Sequence, residues 1–400
     1  MRLIFDCRPE TMYPLAKEGF SGGSQVYVKA IIRGLVANGH EVHVIAADLE
    51  EDERRGPNEF WWPPDCFPKR FDVAIMMMHA RENPEYEAPF CILMTSCIDP
   101  WLGPDNAFAN SFDAVPVFSQ VHKDLLCQAR PIPPEKCHMT GLGVELKDYF
   151  PPEGSPEYSE TLLYAIFGDM RKQRKIREEV AGRHSQWRDK EKVPGRLLYG
   201  NDPARGLFYM LDIFDKVKAR VPYATLHVTY DFDTQHSWRA WEHSQMAEML
   251  WDCKRRLETT PGVVNLGGLD RAGIIREQLE CQVHCAPQDP PGVGTQTHGI
   301  MQMECAAAGA ALVLSDVEAF PEVFGAGAKI LPVIGKFLPQ RQNRCDAGDY
   351  AEVVISLMKD PRKWATWSRK ARALAERNTW SAVVTRWETM LAGLKGEAVV

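Results

Sequence analysis

Residues 22 to 47 read GGSQVYVKAIIRGLVANGHEVHVIAA, and the reading of this stretch decides the fold. Val28, Ile31, Ile32, Leu35 and Val36 recur at helical spacing, so one face of the segment is apolar and calls for burial. Ser24 is placed to cap the start of that helix and Gly39 to end it, because a short hydroxyl satisfies orphan amides and glycine accepts a left-handed backbone. EVHVIAA then returns as an apolar strand, and MRLIFDC supplies the strand before the helix. Strand, helix and strand make a βαβ unit. FDVAIMMMHA, PFCILMTSC and DAVPVFS continue as apolar runs, the pattern of strands buried in a parallel sheet with covering helices.

A second series follows, with GRLLYG, ATLHVTY, GVVNLG, QVHCAP and AALVLSD separated by helical or looped stretches. The predicted fold class is α/β, with two tandem doubly wound, Rossmann-like domains. The expected divisions are residues 1–152, a charged linker or insertion at 153–194, a second domain at 195–377 and a final helical segment at 378–400. The 400 residues suit two domains of about 150 to 200 each.

Composition narrows the function classes. With 45% apolar and 25% charged residues the chain is an ordinary globular protein. A net charge of -7 gives no global attraction to nucleic acid or anionic membranes. The eleven cysteines show no CxxC pair, and no charged-then-apolar leader precedes MRLIFDC, so a cytoplasmic setting with free thiols is expected. No apolar run approaches the roughly 18 residues of a membrane span. Residues 169–192, DMRKQRKIREEVAGRHSQWRDKEK, carry nine Lys or Arg against five Asp or Glu. They read either as a solvated helical excursion laced with ion pairs or as a basic surface for a phosphate-bearing acceptor or a membrane face.

In doubly wound domains ligands bind outside the carboxyl ends of the strands, so the loops there carry the chemistry. Gly22 and Gly23 precede the first long helix, where a ligand can approach the backbone; a tight loop entering a helix also wants glycine. The spacing is not GxGxxG, which gives little support to a nicotinamide or flavin. In YGNDPARGLFYMLDIF, Arg205 stands at a loop-helix junction, where it is either a surface arginine or a phosphate ligand. After the strand QVHCAP and the loop QDPPGVGTQTH, GIMQMECAAA reads as a helix from Gly299 to Gly309. Amides near Thr297, His298, Gly299 and Ile300 suit a diphosphate, and Glu304 is either turned to solvent or free to accept from sugar hydroxyls.

The run QTHGIMQMECAAAG, together with the 22–47 opening, LGVELKDYFPP, NDPARGL, VVNLGGL, ECAAAGAALVLSD, FPEVFG and NTWSAVVTRWETML, resembles the GT-B glycosyltransferases, specifically the retaining family 4. The family's signature has two glutamates separated by seven residues, the second opening Glu-Ala-Met-Ala. The resemblance implies two domains facing a central cleft, a closing helix that crosses back to the first, and a nucleotide-diphosphate sugar as donor. It gives Glu304 the ribose hydroxyls, Arg205 the diphosphate, and Gly22 and Gly23 an approach to the phosphates. Gln296 stands where the family has its first glutamate and Asn201 where it usually has arginine; both are carried as donor-binding with Thr297, His298, Gly299 and Ile300. Many relatives hold a histidine near the anomeric carbon. Here that loop reads SCIDPW, so Cys97, Asp99 and, from the preceding strand, His79 are the catalytic candidates with Gln296. No metal or cofactor beyond the donor is implied, and the DFD at 231–233 reads as a turn acid.

The expectation is a cytoplasmic, metal-independent, retaining glycosyltransferase moving a hexose-type unit from a nucleotide sugar to a hydroxyl of a glycan or glycolipid, with peripheral contact at an inner membrane face. The departures at Gln296 and Asn201 keep open a nucleotide-sugar-binding pseudoenzyme or partner subunit. An epimerase lacks an evident acid-base pair. Nucleic acid as acceptor rests only on the basic segment.

Overall fold

The computed structural model describes residues 1–8, 15–16, 22–80, 84–149, 192–230, 247–288, 296–334 and 344–396. The charged stretch 169–191 and the DFD motif lie outside the described residues. Two compact units are present: Met1–Gly143 with Thr295–His298 and Asn378–Val400, and Val144–Gly294 with Gly299–Arg377. Among the described residues, no helix is long and apolar enough to cross a membrane.

The first unit is built on a six-stranded sheet ordered β3-β4-β2-β1-β5-β6. Its strands are β1 (Arg2–Cys7), β2 (Glu41–Ala46), β3 (Glu53–Gly56), β4 (Glu59–Trp62), β5 (Val73–Met77) and β6 (Phe90–Met94). β5 is buried along its whole length and β1 and β2 on all but their first residue, as the apolar runs require. The edge strand β3 departs from the all-parallel expectation, running antiparallel to β4. DAVPVFS leaves this sheet: β7 (Val115–Val117) pairs in parallel with β8 (Cys137–Met139), while Asp113 and Ala114 before it hydrogen-bond back to β6 at Cys91 and Leu93. Helix α1 spans Gly23–Ala37. Its cap is Gly22, with no side-chain hydrogen bond, and not the expected Ser24, whose hydroxyl instead meets the Ser96 hydroxyl at 2.7 Å. Helix α2 (Gln120–Ala129) is capped by Ser119, which accepts from the His122 amide.

The sheet of the second unit is parallel throughout, ordered β11-β10-β9-β12-β13-β14. These are β9 (Arg196–Tyr199), β10 (Thr225–Val228), β11 (Val263–Asn265), β12 (Val283–Ala286), β13 (Ala311–Ser315) and β14 (Ala328–Leu331). The order reverses between β9 and β12, the switch point at which doubly wound sheets bind ligands. Among the described residues its helices are α3 (Leu207–Arg220), α4 (Ala247–Thr259), α5 (Arg271–Glu280), α6 (Ile300–Ala307), α7 (Phe320–Phe324), α8 (Ala347–Lys359) and α9 (Pro361–Arg377). Strand alternation divides them between two faces. Leu197 and Tyr199 of β9 pack in one core with Phe214 of α3 and Val354 of α8. Leu198 packs in the other with Met303 of α6 and Ala371 of α9.

The last helix, α10 (Trp380–Leu394), belongs to the first unit and packs on α1. Tyr27 stacks on Trp380 at 6.2 Å between ring centres, and His40 Nε2 lies 2.9 Å from Glu388 Oε2. Gly34 permits the close approach of the two helices: a Cβ there would sit 2.2 Å from Val384 Cγ2.

Candidate functional site

In the second unit, the loop leaving β9 carries Gly200, Asn201 and a short 3-10 turn, Pro203–Arg205. Asp202 caps this turn by accepting from the Ala204 amide at 2.9 Å, and burial pushes its carboxyl up. Gly206 then takes φ +123°, where a side chain is doubly excluded, because a Cβ would also lie 2.3 Å from the Pro287 carbonyl oxygen. The structure thus sets Arg205 in the turn before α3, and it is the next residue, Gly206, that lies against the loop leaving β12. Asn201 Oδ1 accepts from Gln302 Nε2 at 2.9 Å, which ties this loop to α6.

Helix α6 starts at Ile300, one residue later than expected, with Gly299 as its cap at φ +139°. A Cβ on Gly299 would meet Gln302 Oε1 at 2.6 Å and Phe320 at 3.1 Å, so the entry to the helix needs glycine. Glu304 is only 5% exposed, so its side chain is not turned to solvent. Arg271 Nη1, at the start of α5, donates to Glu304 Oε1 at 2.5 Å, and Gln278 Nε2 donates to Oε2 at 2.8 Å. Tyr149 closes the ring, donating to Gln278 Oε1 at 2.8 Å and receiving Arg271 Nη2 at 3.3 Å, while Arg271 Nη2 also reaches Asp148 at 3.2 Å. Burial opposes the charge on Arg271, but Glu304, Tyr149 and Asp148 outweigh it and raise the guanidinium pKa above its ordinary value. Burial beside Glu304 pushes the Tyr149 phenol up, so it remains a donor. A buried carboxylate with each oxygen held by a fixed donor has a set orientation and lone pairs left over for hydroxyl groups.

Within the first unit, Gly22 and Gly23 open α1 beside Ser24 and Ser96. Gln296, Thr297 and His298 are buried. Thr297 is held at both ends, its hydroxyl donating to the Ser96 carbonyl at 3.1 Å and its carbonyl accepting from Ser119 Oγ at 2.9 Å. Met78 adopts φ +63°, a strained backbone for a non-glycine residue, directly before His79, whose ring lies 5.9 Å from that of Trp101. Burial pushes the Cys97 thiol up, and its Sγ lies 3.8 Å from Met78 Sδ. Asp99 is exposed and ion-paired with Arg130. His122 is fully buried, receives the Phe118 amide at Nδ1 and is pushed down to about 4 by burial, which leaves it neutral.

Sequence reasoning missed Arg271, Gln278, Asp148 and Tyr149 around Glu304, and Gln302 beside Asn201. Arg271 and Gln278 are 33 and 26 residues from Glu304, so no local spacing announces them.

No protein-family model matches the chain. A phosphatidyl-myo-inositol mannosyltransferase of Mycobacterium tuberculosis is 26% identical over 186 residues, 46% of this chain and 43% of the relative. One of Mycolicibacterium smegmatis is 26% identical over 183 residues, 46% of this chain and 40% of that protein. The match therefore spans less than half the length of these curated relatives. Among solved structures, sucrose-phosphate synthase from Thermosynechococcus elongatus is similar with a TM-score of 0.67 at 13% identity, covering 99% of each chain. Anabaena HepE in complex with UDP and glucose gives 0.61 at 14% identity, covering 98% of this chain and 100% of that one. WaaG, a glycosyltransferase involved in lipopolysaccharide biosynthesis, gives 0.61 at 12%, with 98% and 100% covered. Likeness at such low identity establishes architecture, and the chain accordingly carries the paired Rossmann-like α/β units of the GT-B glycosyltransferases.

Proposed function

We propose that the chain is a glycosyltransferase that moves a hexose-type sugar from a nucleotide-diphosphate sugar to a hydroxyl of a glycan or glycolipid, with retention at the anomeric carbon and without a metal. The observation that carries this reading is the buried Glu304 carboxylate, oriented by Arg271 and Gln278 inside the second unit. A carboxylate so held can take both hydroxyls of a ribose. Arg205, in the turn before α3, is the cation assigned to the diphosphate, which gathers negative charge as the glycosidic bond breaks; a fixed positive group favours that charge and lowers the barrier. The names of the mycobacterial relatives and the UDP and glucose of HepE agree with a sugar-nucleotide donor. The phosphatidyl-inositol in the relatives' name motivates a glycolipid acceptor, met at the cytoplasmic face of a membrane.

Asn201 and Gln296, in place of the arginine and glutamate of family 4, favour a second reading, a subunit that binds the nucleotide sugar without transferring it. Turnover separates the two. Incubated with UDP-glucose and GDP-mannose, alone and with lipid or oligosaccharide acceptors, a transferase releases free nucleoside diphosphate and yields a product whose anomeric proton coupling reports retention. Tight binding with no release of diphosphate from any donor that binds would establish the second reading.

A further inference from the structure

Buried polar groups are almost always hydrogen-bonded, because an amide stripped of water and given nothing in return destabilises the fold. Three side chains of the second unit break this rule along one edge of its sheet. Asn201 follows β9 by two residues, Thr229 follows β10 by one, and Gln288 follows β12 by two. β9 lies between β10 and β12, and β9 with β12 forms the switch point. Asn201 Nδ2, Thr229 Oγ1 and both Nε2 and Oε1 of Gln288 are buried with no hydrogen-bond partner among the described residues. Gln288 is the extreme case, 1% exposed with neither end of its amide satisfied. The loops concerned touch: a Cβ on Gly200 would lie 2.7 Å from Thr229 Oγ1, and one on Gly206 would lie 3.4 Å from Gln288 Cα.

The unmet valences specify the ligand. Asn201 Oδ1 already accepts from Gln302, so the unmet valences of Asn201 are its N–H groups, which suit any oxygen acceptor. Gln288 offers donors and an acceptor together. The diphosphate of a sugar nucleotide carries no proton and can do nothing for the Gln288 carbonyl, whereas a hydroxyl gives a donor and an acceptor in one group. Exchanging the oxygen and nitrogen of Gln288 leaves this unchanged, since both atoms are orphaned. We propose that Gln288 is a specificity-determining residue that hydrogen-bonds a hydroxyl of the donor's sugar, with Asn201 and Thr229 lining the same uncharged subsite. The proposal rests on the reading of the chain as a sugar-nucleotide-binding transferase.

The test compares wild type with Gln288→Met, which keeps the length of the side chain and removes its hydrogen bonding, and with Gln288→Leu as a second apolar variant. Binding of UDP against UDP-glucose, and of GDP against GDP-mannose, is measured by calorimetry, and the melting temperature is measured without ligand. The expected result is unchanged affinity for the bare diphosphate, about tenfold weaker binding of the sugar nucleotide, and a melting temperature raised by about 2 °C or more, because an orphan amide has been replaced by an apolar group. Equal loss of both ligands, or an unchanged sugar-nucleotide affinity, overturns the proposal, as does a lowered melting temperature in both variants without selective loss of the sugar. If wild type binds none of the four compounds, it is the transferase reading that has failed, and this proposal with it.

Discussion

Glu304 carries one donor on each of its two oxygens, and each donor can be removed alone. Arg271 touches the carboxylate as well as Asp148 and Tyr149, so on the proposed reading its effect on a nucleotide passes through Glu304. Arg271→Ala should weaken nucleoside diphosphate binding by about 1.5 to 3 kcal/mol, the worth of a charged hydrogen bond with its geometry. In a Glu304→Ala background the same change should cost less than about 0.5 kcal/mol, which is the additivity limit for independent groups. Arg271→Lys should recover part of the loss. A full second loss in the double variant, read by calorimetry, would mean that Arg271 meets the nucleotide directly. The sequence shows Glu304 as a carboxylate among Met303, Cys305 and alanines, and that context leaves its exposure open. Its burial comes from partners 26 and 33 residues away, which no periodicity encodes. Asn201 and Arg205 are legible because they sit in a loop that follows a strand and enters a helix; Gln288 is not, because an unmet hydrogen bond exists only once the neighbours are in place.

Elements differ in legibility for the same reason. Strands buried on both faces write themselves as continuous apolar runs, and β5 and β13, buried along their whole length, are of this kind. β3 is ERRG, largely exposed, and its Arg54 and Arg55 lie over the rings of Phe60 and Trp61 in β4, so it carries no apolar signal of its own. α1 is plain from its apolar spacing, but its cap is not, because Ser24 spends its hydroxyl on Ser96, 72 residues away. Gly34 offers a test at this scale. Propensity alone predicts that Gly34→Ala stabilises α1 by up to about 1 kcal/mol. The Val384 contact opposes this, and overpacking of a closed helix pair costs about 1 to 3 kcal/mol, so the variant should melt lower than wild type. Adding Val384→Ala should relieve the clash and restore much of the loss. A Gly34→Ala variant that melts higher would show that α10 does not press on α1 as described.

Buried histidines whose charge is disfavoured tie the stability of each unit to pH. Burial pushes His122 in the first unit and His284 in the second down to about 4, each from an ordinary value of 6.5. Unfolded chains take up those protons at higher pH than the fold does. The stabilising contribution is therefore complete above pH 6.5 and is lost as pH falls toward 4, at about 1.4 kcal/mol per pH unit for each histidine. The stability difference between wild type and His122→Asn, followed by denaturant melts, should shrink across that window; a constant difference would place a charge on His122 in the fold. At this scale the presence of two sheets is readable in the sequence, since two series of apolar strands with glycine-rich loops point to two doubly wound sheets, while the strand orders, the antiparallel edge and the departure of β7 depend on pairings that only the folded chain makes. The central claim is that the second unit binds a nucleoside diphosphate through Glu304, and thermal denaturation of wild type and Glu304→Ala with UDP, GDP, ADP, dTDP and CDP tests it directly. One diphosphate, at about 100 times its dissociation constant, should stabilise wild type by about 2.7 kcal/mol and the variant far less; no shift with any of the five at millimolar concentration, or equal shifts in both proteins, would contradict it.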